Sequence, residues 1–211
     1  MSLWEEKEFR TIVGQAWRPG GLALTRQSLD WIAGHLSLRT GLAIDLGCGA
    51  CATLNLLAEQ GFTAIGIDLC TPQQFFPNTY PLKANLLFPP LKPQCADLVL
   101  LECVLSLQKD PIRALQTAFF LLKKNGVLLV SDLTIKKSSI TPPPNSCLSG
   151  ARAPQVWSSL IQEAGFLLHL VADHSHALAE LMAKLIWYGQ STFCSLSSFR
   201  NAGYGVWIAQ R

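Results

Sequence analysis

Charged residues are scarce in this sequence, and no long apolar segment runs without interruption. Charged side chains make up 15% of the 211 residues and hydrophobic ones 49%, a composition that excludes a disordered chain and suits one globular domain. The longest apolar stretch, 96–107, is interrupted by Asp97 and Glu102, so no transmembrane helix is predicted. The segment 1–10 is acidic and lacks the basic and apolar regions of a secretory signal. We expect a cytoplasmic protein with no membrane partner.

Clusters of basic residues and paired cysteine motifs are also missing. The chain has 17 basic and 14 acidic residues, for a net charge of +3, and its only adjacent basic residues are at 123–124 and 136–137. Such scattered charge is unlike the basic patch of a nucleic-acid-binding protein. The seven cysteines favour free thiols or metalloid ligation over a disulfide framework, and they include no C-x-x-C…C-x-x-C pattern of a zinc site. We expect no nucleic-acid partner and assign no metal.

The segment 42–69 carries the most informative pattern. An apolar run ends in Asp45 and gives way to a Gly-Cys-Gly turn; after a helical stretch, a second apolar run ends in Asp68. This order predicts a strand, a glycine loop, a helix and a second strand, which form half of a nucleotide-binding α/β sheet. The glycines allow a tight turn and a close approach of a ligand to the backbone. Asp68 is placed to accept hydrogen bonds from a ribose diol.

Two cofactors are compatible with this loop. The segment 47–52 matches a dinucleotide fingerprint, which would indicate a nicotinamide-dependent oxidoreductase. The carboxylate of Asp45 would repel a pyrophosphate at the helix amino terminus and would attract a cation instead. S-adenosylmethionine presents two cationic groups, an α-ammonium and a sulfonium. A loop that keeps its glycines for geometry alone and a non-catalytic binding module are the further alternatives.

The acid, apolar residue and Gly-x-Gly of 45–49 resemble the first motif of the class I S-adenosylmethionine-dependent methyltransferases. The likeness covers nearly the whole chain and includes the segments 82–85, 88–91, 96–99 and a degraded glycine turn at 121–126. It implies an α/β fold with a doubly wound, seven-stranded Rossmann-like sheet whose last strand is antiparallel, in a single domain, 1–211. The parts of that domain would be an N-terminal helical cap at 1–40 and an acceptor-side loop and lid at 135–150 and 173–200.

Hydrophobic runs and turn residues give bounds for these elements. They predict strands at 41–45, 63–68, near 84, 96–102, 127–132, 166–171 and 204–209. Helices are predicted at 25–35, 51–60, 111–122, 153–163 and 175–188. Asp110 is the expected N-cap of the third helix, and Asn125-Gly126 is its C-cap signal.

The resemblance also implies contacts with the cofactor. Asp45, Gly47, Cys48 and Gly49 would surround the amino-acid end of S-adenosylmethionine, and Asp68 would hold the ribose with Leu69 beside it. Asn85, where the family usually has Asp, would accept a hydrogen bond from the adenine amino group, and Leu86 would offer a backbone N–H. Glu102 and Cys103 would line the cofactor rim, and Arg18 could pair with the methionine carboxylate. S-adenosylhomocysteine would be the product.

A narrower likeness concerns the cysteines. The segments 18–22, 102–106 and 147–151 resemble those of an uncharacterised subfamily from anaerobic bacteria. Cys147 with the Gly-Ala pair after it is similar to a segment of the arsenite methyltransferases, which implies convergence of Cys103, Cys147 and Cys194 on trivalent arsenic. The chain departs from that pattern, since no cysteine precedes Cys48 and Asn201 stands where a cysteine would come before Tyr-Gly.

Methyl transfer from a sulfonium requires in-line attack, so positioning and exclusion of water would supply much of the rate. We expect a small-molecule acceptor. A thiolate or arsenite needs no base, whereas a hydroxyl, enol or amine would gain from one. The candidate catalytic residues are His174, Glu102 and Cys147, with Asp132, Asp173 and His176 as further candidate bases. In the alternative interpretation, Asp173 and Ser175 only cap the next helix.

Overall fold

One mixed sheet brings the carboxyl ends of the central strands together. The computed structural model describes residues 16, 18–70, 76–136, 148–188 and 201–211. Within them the helices are α1 (Gly21–His35), α2 (Ala52–Glu59), α3 (Pro111–Leu121), α4 (Pro154–Glu163) and α5 (Ser175–Trp187). The strands are β1 (Leu42–Leu46), β2 (Thr63–Asp68), β3 (Thr79–Lys83), β4 (Ala96–Glu102), β5 (Leu122–Ile135), β6 (Leu167–Asp173) and β7 (Ala202–Gln210), and a 3-10 turn spans Leu105–Leu107.

The order of the strands creates a place for a ligand. It is β3-β2-β1-β4-β5-β7-β6, with β1 to β5 paired in parallel and β7 antiparallel to both of its neighbours. The direction of winding reverses between β1 and β4, and open α/β sheets bind ligands at the carboxyl edge of such a point. The predicted seven-stranded sheet with an antiparallel last strand is confirmed.

Helices cover both faces of the sheet. Along β4, Leu98 and Leu100 belong to the core that contains α1, α2 and α5, whereas Val99 and Leu101 belong to the core that contains α3 and α4. All four side chains are fully buried. Burial on both faces explains why this strand is apolar at nearly every position.

The two ends of α3 differ from the prediction. Asp110 precedes the helix, but its side chain makes no capping hydrogen bond. The predicted C-cap at Asn125-Gly126 is wrong, because α3 ends at Leu121 and Leu122 is already extended and paired with Ala96. Asn125 has a φ of 64° and donates its N–H to the Arg211 carbonyl. The Asn-Gly pair therefore shapes the start of β5.

Helix α1 begins at Gly21, four residues before its predicted start. Gly20 has a φ of 75°, and its carbonyl accepts the N–H of Leu24, which closes the first turn. The early start places Arg18 and Thr25 on either side of this turn. No helix in the described ranges combines the length and the apolarity needed to cross a bilayer.

Candidate functional site

The candidate site lies at the carboxyl edge of β2, β1 and β4, which are neighbours in the sheet. The loop after β1, 47–51, is defined here as the glycine loop. Gly47 and Cys48 donate their N–H groups to the carbonyl of Ile67 at 2.7 and 3.2 Å, so the loop is fixed to β2. Gly47 has a φ of 90°, and a Cβ there would collide with Val104. Glycine is therefore required at this position.

Asp68 joins the glycine loop to the end of β2. Its Oδ2 accepts the N–H of Gly49 at 2.9 Å, and its Oδ1 accepts the N–H of Cys70 at 3.0 Å. Both interactions leave lone pairs on the carboxylate, since each oxygen can accept a second hydrogen bond. Asp68 is thus oriented by the backbone at the position where a ribose was predicted.

Glu102 lies at the centre of a buried polar cluster. Its Oε2 is 2.7 Å from an Arg18 guanidinium nitrogen and accepts the Thr53 hydroxyl at 3.2 Å. Its Oε1 accepts the Thr25 hydroxyl at 2.8 Å. Arg18 also donates to the hydroxyls of both threonines. These four residues, Arg18, Thr25, Thr53 and Glu102, are called the Glu102 cluster below, and they join the turn before α1 to α2 and β4.

Asp45 adds a second carboxylate beside this cluster. It is 3% exposed, and burial, followed by the charge of Glu102, raises its pKa to about 8, against the opposing effect of Arg18. Asp45, Glu102 and Arg18 together carry one net negative charge when all are ionised. A buried site of this charge favours a cationic ligand, because the cation would offset the cost of ionising Asp45. The site therefore suits the α-ammonium and sulfonium groups of S-adenosylmethionine and disfavours a pyrophosphate.

The predicted adenine contacts lie at the end of β3. The Oδ1 of Asn85 accepts the N–H of Leu87 at 2.9 Å and keeps one lone pair for a further donor. Leu86 is half-buried, whereas Leu69, after β2, is 66% exposed. The two leucines and Asn85 are thus available to a ligand from adjacent strand ends.

Cys103 follows β4 in a strained conformation, with a φ of 57°. Its Sγ lies 3.3 Å from the Tyr204 hydroxyl, which donates to the Ser131 Oγ at 2.9 Å. Burial and the nearby charge of Asp132 raise the pKa of the Cys103 thiol, so it remains protonated at neutral pH. Of the three cysteines suggested for arsenic, Cys147 and Cys194 lie outside the described residues.

The remaining candidate bases are held by local structure. Asp132 is fully buried and accepts the N–H groups of Ser106 and Leu133 at 3.1 and 2.7 Å. Asp173 accepts the N–H of Ser175 at 2.8 Å at the start of α5. His174, next to it, is half-buried, and its pKa is lowered by burial and by His176.

The structure separates His174 from the cofactor side of the edge. It follows β6, which is three strands away from β4, or about 14 Å at the usual strand spacing. Helix α5, the predicted lid, packs against β7. Within the described ranges, His, Cys, Asp and Glu form no group of three that could hold a metal ion.

Three contacts of the site were not predicted from the sequence. Glu102 binds Thr25 and Thr53, and Cys103 binds Tyr204. In each pair the two residues are at least 49 positions apart in the sequence. Thr25 and Thr53 lie at helical positions where threonine is not a preferred residue, and that was the only signal in the sequence.

A family model identifies the class of protein to which this fold and site belong. Residues 36–190 match the family model described as a methyltransferase domain, and because the match covers more than half of the chain, the protein belongs to that family. The predicted resemblance to the class I methyltransferases is confirmed at this level. No curated protein matches the chain by sequence.

Solved structures of low sequence identity share the fold. A phosphoethanolamine N-methyltransferase of Haemonchus contortus, in complex with phosphomonomethylethanolamine and S-adenosylhomocysteine, has a TM-score of 0.76 at 13% identity, over 96% of this chain and 56% of that one. A geranyl diphosphate C-methyltransferase of Streptomyces coelicolor, in complex with Mg²⁺, geranyl diphosphate and S-adenosylhomocysteine, has a TM-score of 0.69 at 14% identity, over 98% and 85%. The [4+2]-cyclase SpnF has a TM-score of 0.71 at 17% identity, over 93% and 82%. A cyclase shares the fold, so the fold alone does not specify methyl transfer.

Proposed function

We propose that the protein is an S-adenosylmethionine-dependent methyltransferase that acts on a small-molecule acceptor and releases S-adenosylhomocysteine. The observation that carries this proposal is the buried pair of carboxylates, Asp45 and Glu102, under the glycine loop. Burial raises the pKa of Asp45 to about 8, so a cationic cofactor would be needed to keep its carboxylate ionised at neutral pH, and family membership indicates which cofactor. The two buried acidic groups argue against the nicotinamide alternative.

Three groups of residues would contact three parts of the cofactor. Asp45 and the backbone at Gly47, Cys48 and Gly49 would hold the amino-acid end, with Glu102 and Cys103 along the rim. Asp68 would bind the ribose, since its carboxylate is already oriented by two backbone N–H groups. Asn85, Leu86 and Leu69 would contact the adenine. In this structure Arg18 binds Glu102, and its contact with the methionine carboxylate stays a prediction.

The bound cofactor would supply a methyl group activated by a sulfonium. The chain would supply position and a low-dielectric setting, because the Glu102 cluster is buried and fixes α1 and α2 against the end of β4. Glu102 is engaged by a guanidinium and two hydroxyls, so we assign it an electrostatic role toward the cofactor rather than proton transfer.

The acceptor is proposed to be small. Two of the similar structures hold phosphomonomethylethanolamine or geranyl diphosphate, which supports a small molecule here without identifying it. His174 and Cys147 stay proposals as catalytic residues. His174 would act only on an acceptor that reaches across β5 and β7, and a thiol or arsenite acceptor would need neither residue as a base.

The first test is calorimetric titration with S-adenosylhomocysteine beside NADH, in wild type, Asp68→Ala and the control Asp30→Ala. Asp30 lies on the exposed side of α1, so Asp30→Ala also removes one carboxylate but leaves the candidate site unchanged. We expect micromolar binding of S-adenosylhomocysteine alone, retained in Asp30→Ala and weakened at least tenfold in Asp68→Ala. Binding of NADH instead would overturn the proposal.

The second test separates a methyltransferase from a binding module. Purified protein with methyl-labelled S-adenosylmethionine is offered arsenite, small thiols, amines and prenyl diphosphates, and transfer of label is measured. Label on any acceptor supports the enzyme. Tight S-adenosylhomocysteine binding with no transfer to any class would favour the non-catalytic alternative.

A further inference from the structure

The two cysteines of the glycine loop face each other. The Cys51 Sγ lies 3.5 Å from the Cys48 Sγ; both thiols are free, and both residues are at most 7% exposed. Free cysteines are often small apolar residues of a core. A packing role accounts for the burial of these two but not for their pairing.

The backbone between them forms a turn that brings the two residues close together. The N–H of Cys51 donates to the carbonyl of Cys48 at 2.8 Å, so the four residues form a tight turn, and Cys51 directly precedes α2. A disulfide has an S–S length of about 2.05 Å, so the two sulfurs would have to approach by about 1.5 Å. A C-x-x-C turn that leads into a helix is the arrangement found in thiol–disulfide exchange sites.

We infer that Cys48 and Cys51 form a reversible thiol-modification site, where oxidised glutathione or a similar small disulfide closes an intraloop disulfide that weakens cofactor binding. The part that concerns binding rests on the function proposed above. One cysteine thiolate attacks the external disulfide, which gives a mixed disulfide and releases one small thiol. The second cysteine then attacks the bonded sulfur, forms the Cys48–Cys51 bond and releases the second small thiol. Two protons leave the cysteines and end on the two released thiols.

The hydrogen bond with Cys51, then burial and the charge of Asp45, raise the pKa of Cys48, so its thiolate is disfavoured while the sulfur is buried. Both sulfurs are buried, so the exchange requires the loop to open and is slow. The test is therefore made at equilibrium.

Closure of the disulfide would disturb the cofactor contacts through Gly49. This residue lies between the two cysteines, and its N–H holds Asp68 at 2.9 Å. The Cys48 Sγ is also packed against Gly66, where an added Cβ would be 2.6 Å away. Drawing this sulfur toward Cys51 bends the turn and shifts Gly49. We expect S-adenosylhomocysteine to bind at least tenfold more weakly to the oxidised protein.

Bound ligand should oppose oxidation by the same factor, because linkage between two equilibria is reciprocal. A tenfold difference in affinity corresponds to a shift of about 30 mV in the potential of this two-electron couple.

The experiment equilibrates the full chain in a series of reduced and oxidised glutathione mixtures, with and without S-adenosylhomocysteine. Remaining thiols are alkylated, the crosslink is located by peptide mass mapping, and reduced and oxidised forms are titrated with S-adenosylhomocysteine. The test variant is Cys51→Ala, because alanine is small enough to replace a buried cysteine. The matched control is Cys95→Ala, because Cys95 is a free thiol just before β4, at the opposite edge of the sheet. Circular dichroism checks that both variants are folded.

The inference is supported by a crosslink between Cys48 and Cys51 that dithiothreitol reverses and that weakens binding of S-adenosylhomocysteine. This crosslink should be present in Cys95→Ala and absent in Cys51→Ala. Absence of this crosslink in strongly oxidising mixtures overturns it, and so does a crosslink that leaves the affinity unchanged. Reduced protein that binds no S-adenosylhomocysteine would overturn the proposed function and the effect on binding, whereas the mapped crosslink would be judged separately.

Discussion

The carboxyl edge of the sheet has two halves that use acidic side chains differently. On the half formed by β1, β2 and β4, Asp45 and Glu102 are buried beside a single guanidinium, and Asp68 holds the glycine loop. On the half formed by β5 and β6, Asp132 accepts the N–H groups of Ser106, in the turn after β4, and of Leu133, in its own strand. Asp173 accepts the N–H of Ser175 in the turn after β6. The first half thus has a buried acidic group, Asp45, whose ionisation a cationic ligand would favour, and the second uses its carboxylates to hold backbone N–H groups.

This difference indicates how the proposed enzyme separates its tasks. The cofactor would be selected by charge, since a cation relieves the mutual repulsion of Asp45 and Glu102. The acceptor side would select mainly by shape, because its described carboxylates are committed to the backbone.

Removal of the guanidinium should be the most damaging single change. In Arg18→Ala the carboxylates of Glu102 and Asp45 lose their buried cation, and breaking a buried pair in this way costs about 3–5 kcal/mol. The free energy of unfolding in urea measures it. The control is Lys123→Ala, which breaks the ion pair between Lys123 and Asp97. The Lys123 side chain is 46% exposed, and exposed pairs contribute about 0–1 kcal/mol. Equal losses in the two variants would contradict the role given to Arg18.

Asp132→Ala should reduce stability without reducing cofactor affinity. The change leaves the buried N–H groups of Ser106 and Leu133 without their acceptor, at a cost of about 2–3 kcal/mol. Urea unfolding gives the stability, and calorimetry of the folded variant gives the affinity for S-adenosylhomocysteine. A loss of affinity of tenfold or more in a stably folded variant would show that the second half of the edge also serves the cofactor.

The pH dependence of the free energy of unfolding should reveal the ionisation of Asp45, on the half of the edge formed by β1, β2 and β4. Because the pKa of Asp45 rises from 3.8 to about 8 on folding, the folded protein keeps a proton that the unfolded chain loses between these values. Stability should therefore fall as the pH rises from about 4 to about 8, by at most about 1.4 kcal/mol per unit. Asp132, whose pKa is raised to about 6 by burial, acts in the same direction below pH 6.

Urea unfolding of wild type and Asp45→Asn between pH 5 and 8 isolates this contribution. The variant should show a flatter slope between pH 6 and 8, where Asp132 no longer contributes. Saturating S-adenosylhomocysteine should flatten the wild-type slope as well, since its ammonium favours the Asp45 carboxylate. Identical slopes in the variant and wild type would show that Asp45 is not the group that titrates.

Features formed by residues close together in the sequence could be predicted, whereas contacts between distant segments could not. The acid, the glycines and Asp68 follow one another within 42–69, so the local order of residues predicted their geometry. The Glu102 cluster could not be predicted, because Thr25 and Glu102 are 77 positions apart and meet only when α1 packs beside β4. Asn125-Gly126 was misinterpreted for the same reason, since its partner is Arg211 at the far end of the chain.

The smallest expected effect concerns Asp173, the acidic residue on the second half that is most exposed to solvent. Its side chain accepts the N–H and hydroxyl of Ser175, and loss of such a cap costs about 0.5–1 kcal/mol. Hydrogen bonding to Ser175 also lowers the pKa of Asp173, so its contribution is present above its ordinary pKa and is lost as the pH falls below about 4. Asp110→Ala is the matched control, because Asp110 also precedes a helix, α3, but its side chain makes no capping hydrogen bond. Urea unfolding at pH 7 should therefore separate Asp173→Ala from Asp110→Ala, with S-adenosylhomocysteine affinity unchanged in both. A large loss of methyl transfer in Asp173→Ala, at wild-type cofactor affinity, would instead assign this residue or the adjacent His174 to the acceptor site.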